Sequence, residues 1–89
     1  MKSYSVEYTD EALKALRKMD EHNRQVIYNW IGENLVGCEN PRQRGKGLRN
    51  NLSGKWRYRV GDYRIIAEIE DVRVLILLVD VGYRSVVYN

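Results

Sequence analysis

The sequence has 89 residues and holds one cysteine and one histidine. A lone Cys38 makes no internal disulfide, and such sparing use of cysteine predicts a reducing, cytoplasmic setting. One Cys and one His supply no ligand set for a zinc site of the usual kind. No apolar run approaches the roughly eighteen residues of a membrane span. The opening MKSYSVEYTD carries no apolar stretch of a secretory leader, so none is expected. No glycine-rich loop has the spacing of a phosphate cradle or of a dinucleotide fingerprint, and no cofactor is expected. The last absence is local: residues 40–61 contain no acidic side chain.

With 44% hydrophobic and 30% charged residues the chain predicts a folded domain, a single unit over residues 1–89. The net charge of +3 is mild, but its distribution is uneven. Residues 1–39 carry five basic and seven acidic groups, and residues 62–89 carry three and five. Between them lie Arg42, Arg44, Lys46, Arg49, Lys55, Arg57 and Arg59 with no counter-charge. A concentrated patch of that kind attracts phosphate polyanions; the plain alternative is a solvated basic loop.

Residues 4–8, YSVEY, alternate as a short strand. Thr9 is placed to cap a helix whose first turn holds Asp10 and Glu11. Ala12, Leu13, Ala15, Leu16 and Met19 form its apolar stripe, and the helix should end near Asp20. A second helix is expected from about His22 to Leu35, with Val26, Ile27, Trp30, Ile31 and Leu35 on its stripe and Gly37 as its stop. His22 reads as a surface or capping residue. Residues 39–54 have Pro, Gly and Asn without periodicity and read as a basic loop. Strands are expected over 55–60, 63–69 and 72–79, with a possible short one at 85–89. This order, β-α-α-β-β-β, predicts an α+β fold. An N-terminal strand is followed by an antiparallel helix hairpin, packed on one face of a mostly antiparallel four-stranded sheet.

The stretch KWRYRVGDYR, residues 55–64, sets like charges side by side on a strand. Gly61-Asp62 fits a two-residue hairpin loop. Val60 then faces Tyr63, Arg59 faces Arg64, and Arg57 faces Ile66. Alternation puts Arg57, Arg59 and Arg64 on one face and Trp56, Tyr58, Val60, Tyr63, Ile65 and Ala67 on the other, under the helices. A directly opposed Arg pair destabilises a sheet by about 0.2–1 kcal/mol. A bound anion would reverse that sign. If Glu70-Asp71 closes a second hairpin, Leu75 and Leu77 join the arginine face and give it an apolar floor. Glu68 falls there too, where a pair with Lys55 or Arg73 is a simpler role than that of a base.

The runs ALKALRKMD, NPRQRGKGLRNNLSGKWRYRVGDYRIIAEI and VGYRSVVY resemble, over nearly the whole chain, the RelE branch of the RelE/ParE toxin superfamily. Its members are the toxin halves of bacterial toxin–antitoxin pairs. The resemblance implies a ribosome-dependent endoribonuclease that cleaves the messenger RNA codon in the A site without a metal. The 2′-hydroxyl attacks the adjacent phosphate. By similarity the active groups fall on Arg57, Arg59, Arg64, Arg84 and Tyr88; Arg42, Arg44, Lys46, Arg49 and Lys55 of the basic stretch are expected to bind RNA and ribosome. Partners implied are the ribosome, its messenger RNA and an acidic, partly disordered RelB-like antitoxin. No membrane partner is implied. Gly82 is expected to bend the last strand, so Arg84 and Tyr88 rest on the resemblance alone. The better-studied family members carry lysines at the positions of Arg57 and Arg59. An arginine does not give up its proton, so these arginines are expected to act by electrostatic stabilisation, and the general base is not identified. Two other readings stay open: a ParE-like toxin that poisons DNA gyrase, and an inactive toxin homologue that only binds antitoxin.

Overall fold

The computed structural model describes residues 2–49 and 52–83. Seven elements follow in order: β1 (Ser5–Tyr8), α1 (Asp10–Arg17), α2 (Glu21–Asn34), β2 (Lys46–Gly47), β3 (Trp56–Val60), β4 (Tyr63–Glu70) and β5 (Leu75–Tyr83). The α+β class and the order of the main elements agree with the sequence. The sheet does not have four strands but five, in the order β1-β5-β4-β3-β2. It is mixed, because β1 runs parallel to β5 while the other pairs are antiparallel. The added strand, β2, lies inside the segment read as a loop. Two residues show no alternation, and it is the β3 backbone that recruits them.

Thr9 caps α1 as expected, its Oγ1 accepting from the Ala12 amide at 3.2 Å. The helix stops at Arg17, short of Asp20, because Asp20 is itself the N-cap of α2. Its carboxylate accepts the Asn23 amide, so the capping role falls to Asp20 and not to exposed His22. Arg24 reaches back from α2 with Nη1 to the carbonyls of Leu16, Arg17 and Met19, at 3.3–3.4 Å. A cation there satisfies groups that the end of a helix leaves open. Gly37, at φ 77°, ends the second helical segment, and its N–H donates to the Tyr4 carbonyl.

One core lies under one face of the sheet. Ala12 and Leu16 of α1 and Ile27, Ile31 and Leu35 around α2 meet Tyr58, Val60, Ile65, Ala67, Ile76, Leu78 and Val81. Two stripe residues stay out of it: Val26 is exposed, and Leu13 is only half-buried. Tyr58 is fully buried, with its ring 5.6 Å from that of Trp30. Its hydroxyl donates to the Pro41 carbonyl at 2.6 Å, and burial pushes that phenol well above the usual tyrosine range.

The basic segment is tied down residue by residue. Trp56 Nε1 donates to the Arg44 carbonyl at 2.7 Å, and the Leu48 N–H to that of Lys55 at 3.0 Å. Gly45 sits between, at φ 78°, so close to β3 that a Cβ would overlap the Arg57 carbonyl oxygen. Farther along, Arg42 forms a two-pronged ion pair with Asp71, both contacts 3.0 Å, and the Tyr4 hydroxyl donates to the same carboxylate at 2.7 Å. Asp71 opens the β4–β5 turn. That turn covers residues 71–74 and is longer than the Glu70-Asp71 closure expected. Val72 and Val74 read as strand residues, yet Val72 is 99% exposed and Val74 takes φ 51°.

Gly45→Ala is expected to lower stability by at least about 1–3 kcal/mol, since it needs both a left-handed alanine and a retreat of β3. A urea midpoint equal to that of the parent chain would refute this. The Arg42 guanidinium, and then the Tyr4 hydroxyl, hold the Asp71 carboxyl below its usual value of 3.8. The folded chain therefore binds that proton more weakly than the unfolded one. The gain in stability is complete above about pH 4 and fades as pH falls through the depressed value. Asp71→Asn should flatten the acid limb of the urea midpoint plotted against pH; an unaltered limb would show that the clamp contributes nothing.

Candidate active site

The Gly61-Asp62 loop is the two-residue hairpin expected, with Val60 opposite Tyr63 and a positive φ of 58° at Gly61. From that turn the register follows: Arg59 faces Arg64, Tyr58 faces Ile65, and Arg57 faces Ile66. Arg57, Arg59 and Arg64 therefore share the face away from the helices. Half-burial, then the charges of Arg64 and Arg59, lower the Arg57 guanidinium below its usual value. Arg57 thus feels two further cations across the two strands, and an anion between them would offset that repulsion.

The neighbouring strands complete the face. Lys46 of β2 pairs with Arg57, which brings it to the same side. Of the other basic residues singled out, Arg44 and Arg49 are exposed on the segment beside β3. Arg42 and Lys55 are held by carboxylates: Arg42 by Asp71, and Lys55 by Glu68 at 2.8 Å. Glu68 thus makes the ion pair expected of it, and Arg73 pairs with Glu70 at 3.0 Å. Arg84 and Tyr88, and the possible strand at 85–89, lie outside the described residues.

The floor of this face is apolar. Leu75 pairs with Glu70 and Leu77 with Glu68, so both stand on the arginine side. Ile66, on that side too, is fully buried, and Leu75 is 2% exposed. A basic rim suits a ligand that carries a phosphate; of the apolar residues beneath it, Ile66 and Leu75 are already covered and Leu77 is half-buried.

β5 departs from strict alternation, but not at Gly82. That residue pairs in register with Arg64. The irregularity lies three residues earlier, where Ile66 faces Asp80 and Ala67 faces Leu78, leaving Val79 as the extra residue. Thr9 secures the bulge, its hydroxyl lying 3.2 and 3.1 Å from the Leu78 and Val79 carbonyls. The bulge turns Asp80 onto the arginine face and Val81 into the core. Sequence reasoning missed Asp80. A single acid inside an apolar strand was the available signal, but its direction depends on a bulge that no residue pattern announces.

Among the described residues no group of three or more His, Cys, Asp or Glu side chains is arranged to hold a metal ion, and no helix is long and apolar enough to cross a membrane. A hollow of about 320 Å³ lies by the helices between the start of α2 and the hairpin loop. Its walls include His22, Val26, Tyr63 and Tyr83, and no Lys or Arg among the described residues.

Known proteins share this architecture. Residues 6–88 match a family model described as the ParE toxin of the type II toxin–antitoxin system parDE. The chain is 31% identical over 86 residues to Toxin RelE of Mycobacterium tuberculosis, covering 97% of this chain and 87% of that protein. The crystal structure of the toxin–antitoxin complex RelBE2 from the same organism contains a chain similar at a TM-score of 0.85 and 27% identity, over 96% of this chain and 95% of that one. The isolated Escherichia coli RelE toxin has the same fold, with a TM-score of 0.72 at 24% identity, over 91% of this chain and 84% of that one.

Arg59→Gln is expected to stabilise the fold by about 0.2–1 kcal/mol, because it removes the opposed cation pair. Urea denaturation in a phosphate-free buffer reads this directly; a loss of stability would mean that the pair is already neutralised within the protein.

Proposed function

The chain belongs to the ParE-toxin family, in its RelE-like branch, and is a toxin of the type II toxin–antitoxin class; from that premise we propose that it is a ribosome-dependent messenger RNA endoribonuclease. The observation that carries the reading is the group of Arg57, Arg59 and Arg64 on one sheet face, with Arg57 depressed by burial and by its two neighbours.

In the proposed reaction the messenger RNA lies over the arginine face with one phosphate among the guanidinium groups. The 2′-oxygen of the preceding nucleotide attacks that phosphorus and gives up its proton. The P–O5′ bond breaks. The products are a 2′,3′-cyclic phosphate and a 5′-oxyanion, which takes a proton from water. Charge builds on the phosphoryl oxygens in the transition state, and fixed guanidinium donors stabilise it there. Arginine suits the task because it stays charged and offers a planar set of donors to phosphate oxygens. The roles of Arg84, as a further phosphate donor, and of Tyr88, as a group that holds the 2′-hydroxyl or stacks on a base, are carried over from the family resemblance. Lys46, Arg44 and Arg49 extend the positive field along the edge of the face and are proposed to hold the flanking RNA. The similar chain in RelBE2 belongs to a toxin–antitoxin complex. That supports an antitoxin partner here, with acidic groups set against the same arginines.

The description of the matched family, a ParE toxin, favours a second reading in which the target is DNA gyrase. The two separate in one pair of assays. On purified ribosomes with a programmed, empty A site, the wild-type chain is expected to cut the A-site codon and leave 5′-hydroxyl ends. Arg64→Ala should slow that cut by about 10²–10³ while the chain stays folded. Inhibited gyrase supercoiling with intact messenger RNA would replace the nuclease reading with the gyrase one.

A further inference from the structure

The arginines of this face leave one component of the reaction to another residue: a group that accepts the 2′-hydroxyl proton. Guanidinium groups do not accept protons at neutral pH. The carboxylates on this face are Glu7, Glu68, Glu70 and Asp80, as the strand register gives them. Glu68 is held by Lys55 and Glu70 by Arg73. Glu7 pairs with Leu77 on the edge strand, in the row of the sheet that contains Glu68 and so beyond the arginine rows. Asp80 shares a row with Ile66, Arg57 and Lys46. It is also the diagonal neighbour of Arg64, a separation of about 7–8 Å between backbones that a nucleotide's phosphate and ribose can bridge.

Two further features bear on this position. Gly82 stands directly opposite Arg64 and places no side chain of its own between Arg64 and Asp80. The Val79 bulge is what aims Asp80 there; without it Asp80 would point into the core beneath the helices. Its Oδ1 accepts from the Val81 amide at 2.9 Å, and among the described residues Oδ2 has no hydrogen-bond partner. An acid simply kept out of the core would explain the bulge as well, and so the test must read proton transfer and not stability.

We propose that Asp80 is the general base of this site, taking the 2′-hydroxyl proton of the nucleotide seated between it and Arg64; the assignment rests on the nuclease reading above. The 2′-O–H bond breaks toward the carboxylate as the 2′-O–P bond forms. Asp80 then returns the proton to solvent after the P–O5′ bond has broken.

The experiment is single-turnover cleavage on ribosomes with a programmed, empty A site, with the wild type, Asp80→Asn and Asp80→Glu followed from pH 6 to 9. Asp80→Asn should be slower at pH 7 by about 10²–10⁴, with binding to the same ribosomes unchanged. Its rate should then rise about tenfold per pH unit, as hydroxide replaces the lost base, while the wild-type rate stays nearly flat. Asp80→Glu, which keeps the carboxylate at a longer reach, should recover part of the rate and the flat profile. A structural role would lower the rate by the same factor at every pH and leave the profile shape unchanged, and that result overturns the assignment. So does an Asp80→Asn chain that cuts within about threefold of the wild type. If Asp80→Asn does not fold, the flat wild-type profile and the flat, partly active Asp80→Glu profile carry the test, and a wild-type rate that climbs with hydroxide overturns the assignment. A wild-type chain that cuts nothing overturns the nuclease reading and this assignment with it; cleavage without dependence on Asp80 overturns only the assignment.

Discussion

In β3 and β4 the core and the candidate site are opposite faces of a single hairpin ladder. The two-residue turn at Gly61-Asp62 sets which residues face which, and the pleat assigns them to sides. A slip of one residue would drive Arg57, Arg59 and Arg64 under the helices and put Tyr58 and Ile65 into water. Burying a large apolar side chain contributes about 1.5–3 kcal/mol, while the opposed arginines cost about 0.2–1 kcal/mol. The core wins that comparison several times over. The cations are therefore held together by packing on the far side of the sheet, and their mutual repulsion persists as readiness for an anion.

The basic segment that precedes β3 divides into two groups of charges. Arg42 is spent on the fold: with Tyr4 it fastens Asp71, and so joins the N-terminal strand, the loop and the β4–β5 turn. Lys55 is likewise held by Glu68. Both ion pairs are partly exposed, so each is worth little as isolated energy; their effect is to fix where the chain runs. Lys46 differs because the close approach at Gly45 lets its short strand pair with β3 and carry it onto the arginine face. A run of seven positive charges in the sequence thus resolves into a compact cluster on the sheet, its flank, and two structural clamps.

The face that results has strong electrostatic donors, and among the described residues Asp80 is the carboxylate that stands beside them without an ion pair. Guanidinium groups stabilise developing negative charge without changing their own protonation, so a proton acceptor must come from elsewhere. The bulge in β5 brings Asp80 to that neighbourhood and is itself secured by Thr9, the residue that starts α1. The first helix cap and the aim of a carboxylate far along the chain are thereby parts of the same local arrangement.

The α+β class, the helix cap at Thr9, the hairpin at Gly61-Asp62 and the sharing of one face by Arg57, Arg59 and Arg64 were all legible in the sequence. Each depends on contacts between near neighbours, where alternation, helical period and turn chemistry apply directly. The fifth strand at Lys46–Gly47, the parallel pairing of β1 with β5, the engagement of Arg42 by Asp71 and the turning of Asp80 by a bulge at Val79 were decided by tertiary structure alone. These join residues far apart in the chain, and a bulge reverses alternation without a residue type that marks it. Local pattern therefore determined which side of the hairpin carries charge, and long-range pairing determined which charges, and which acid, meet there.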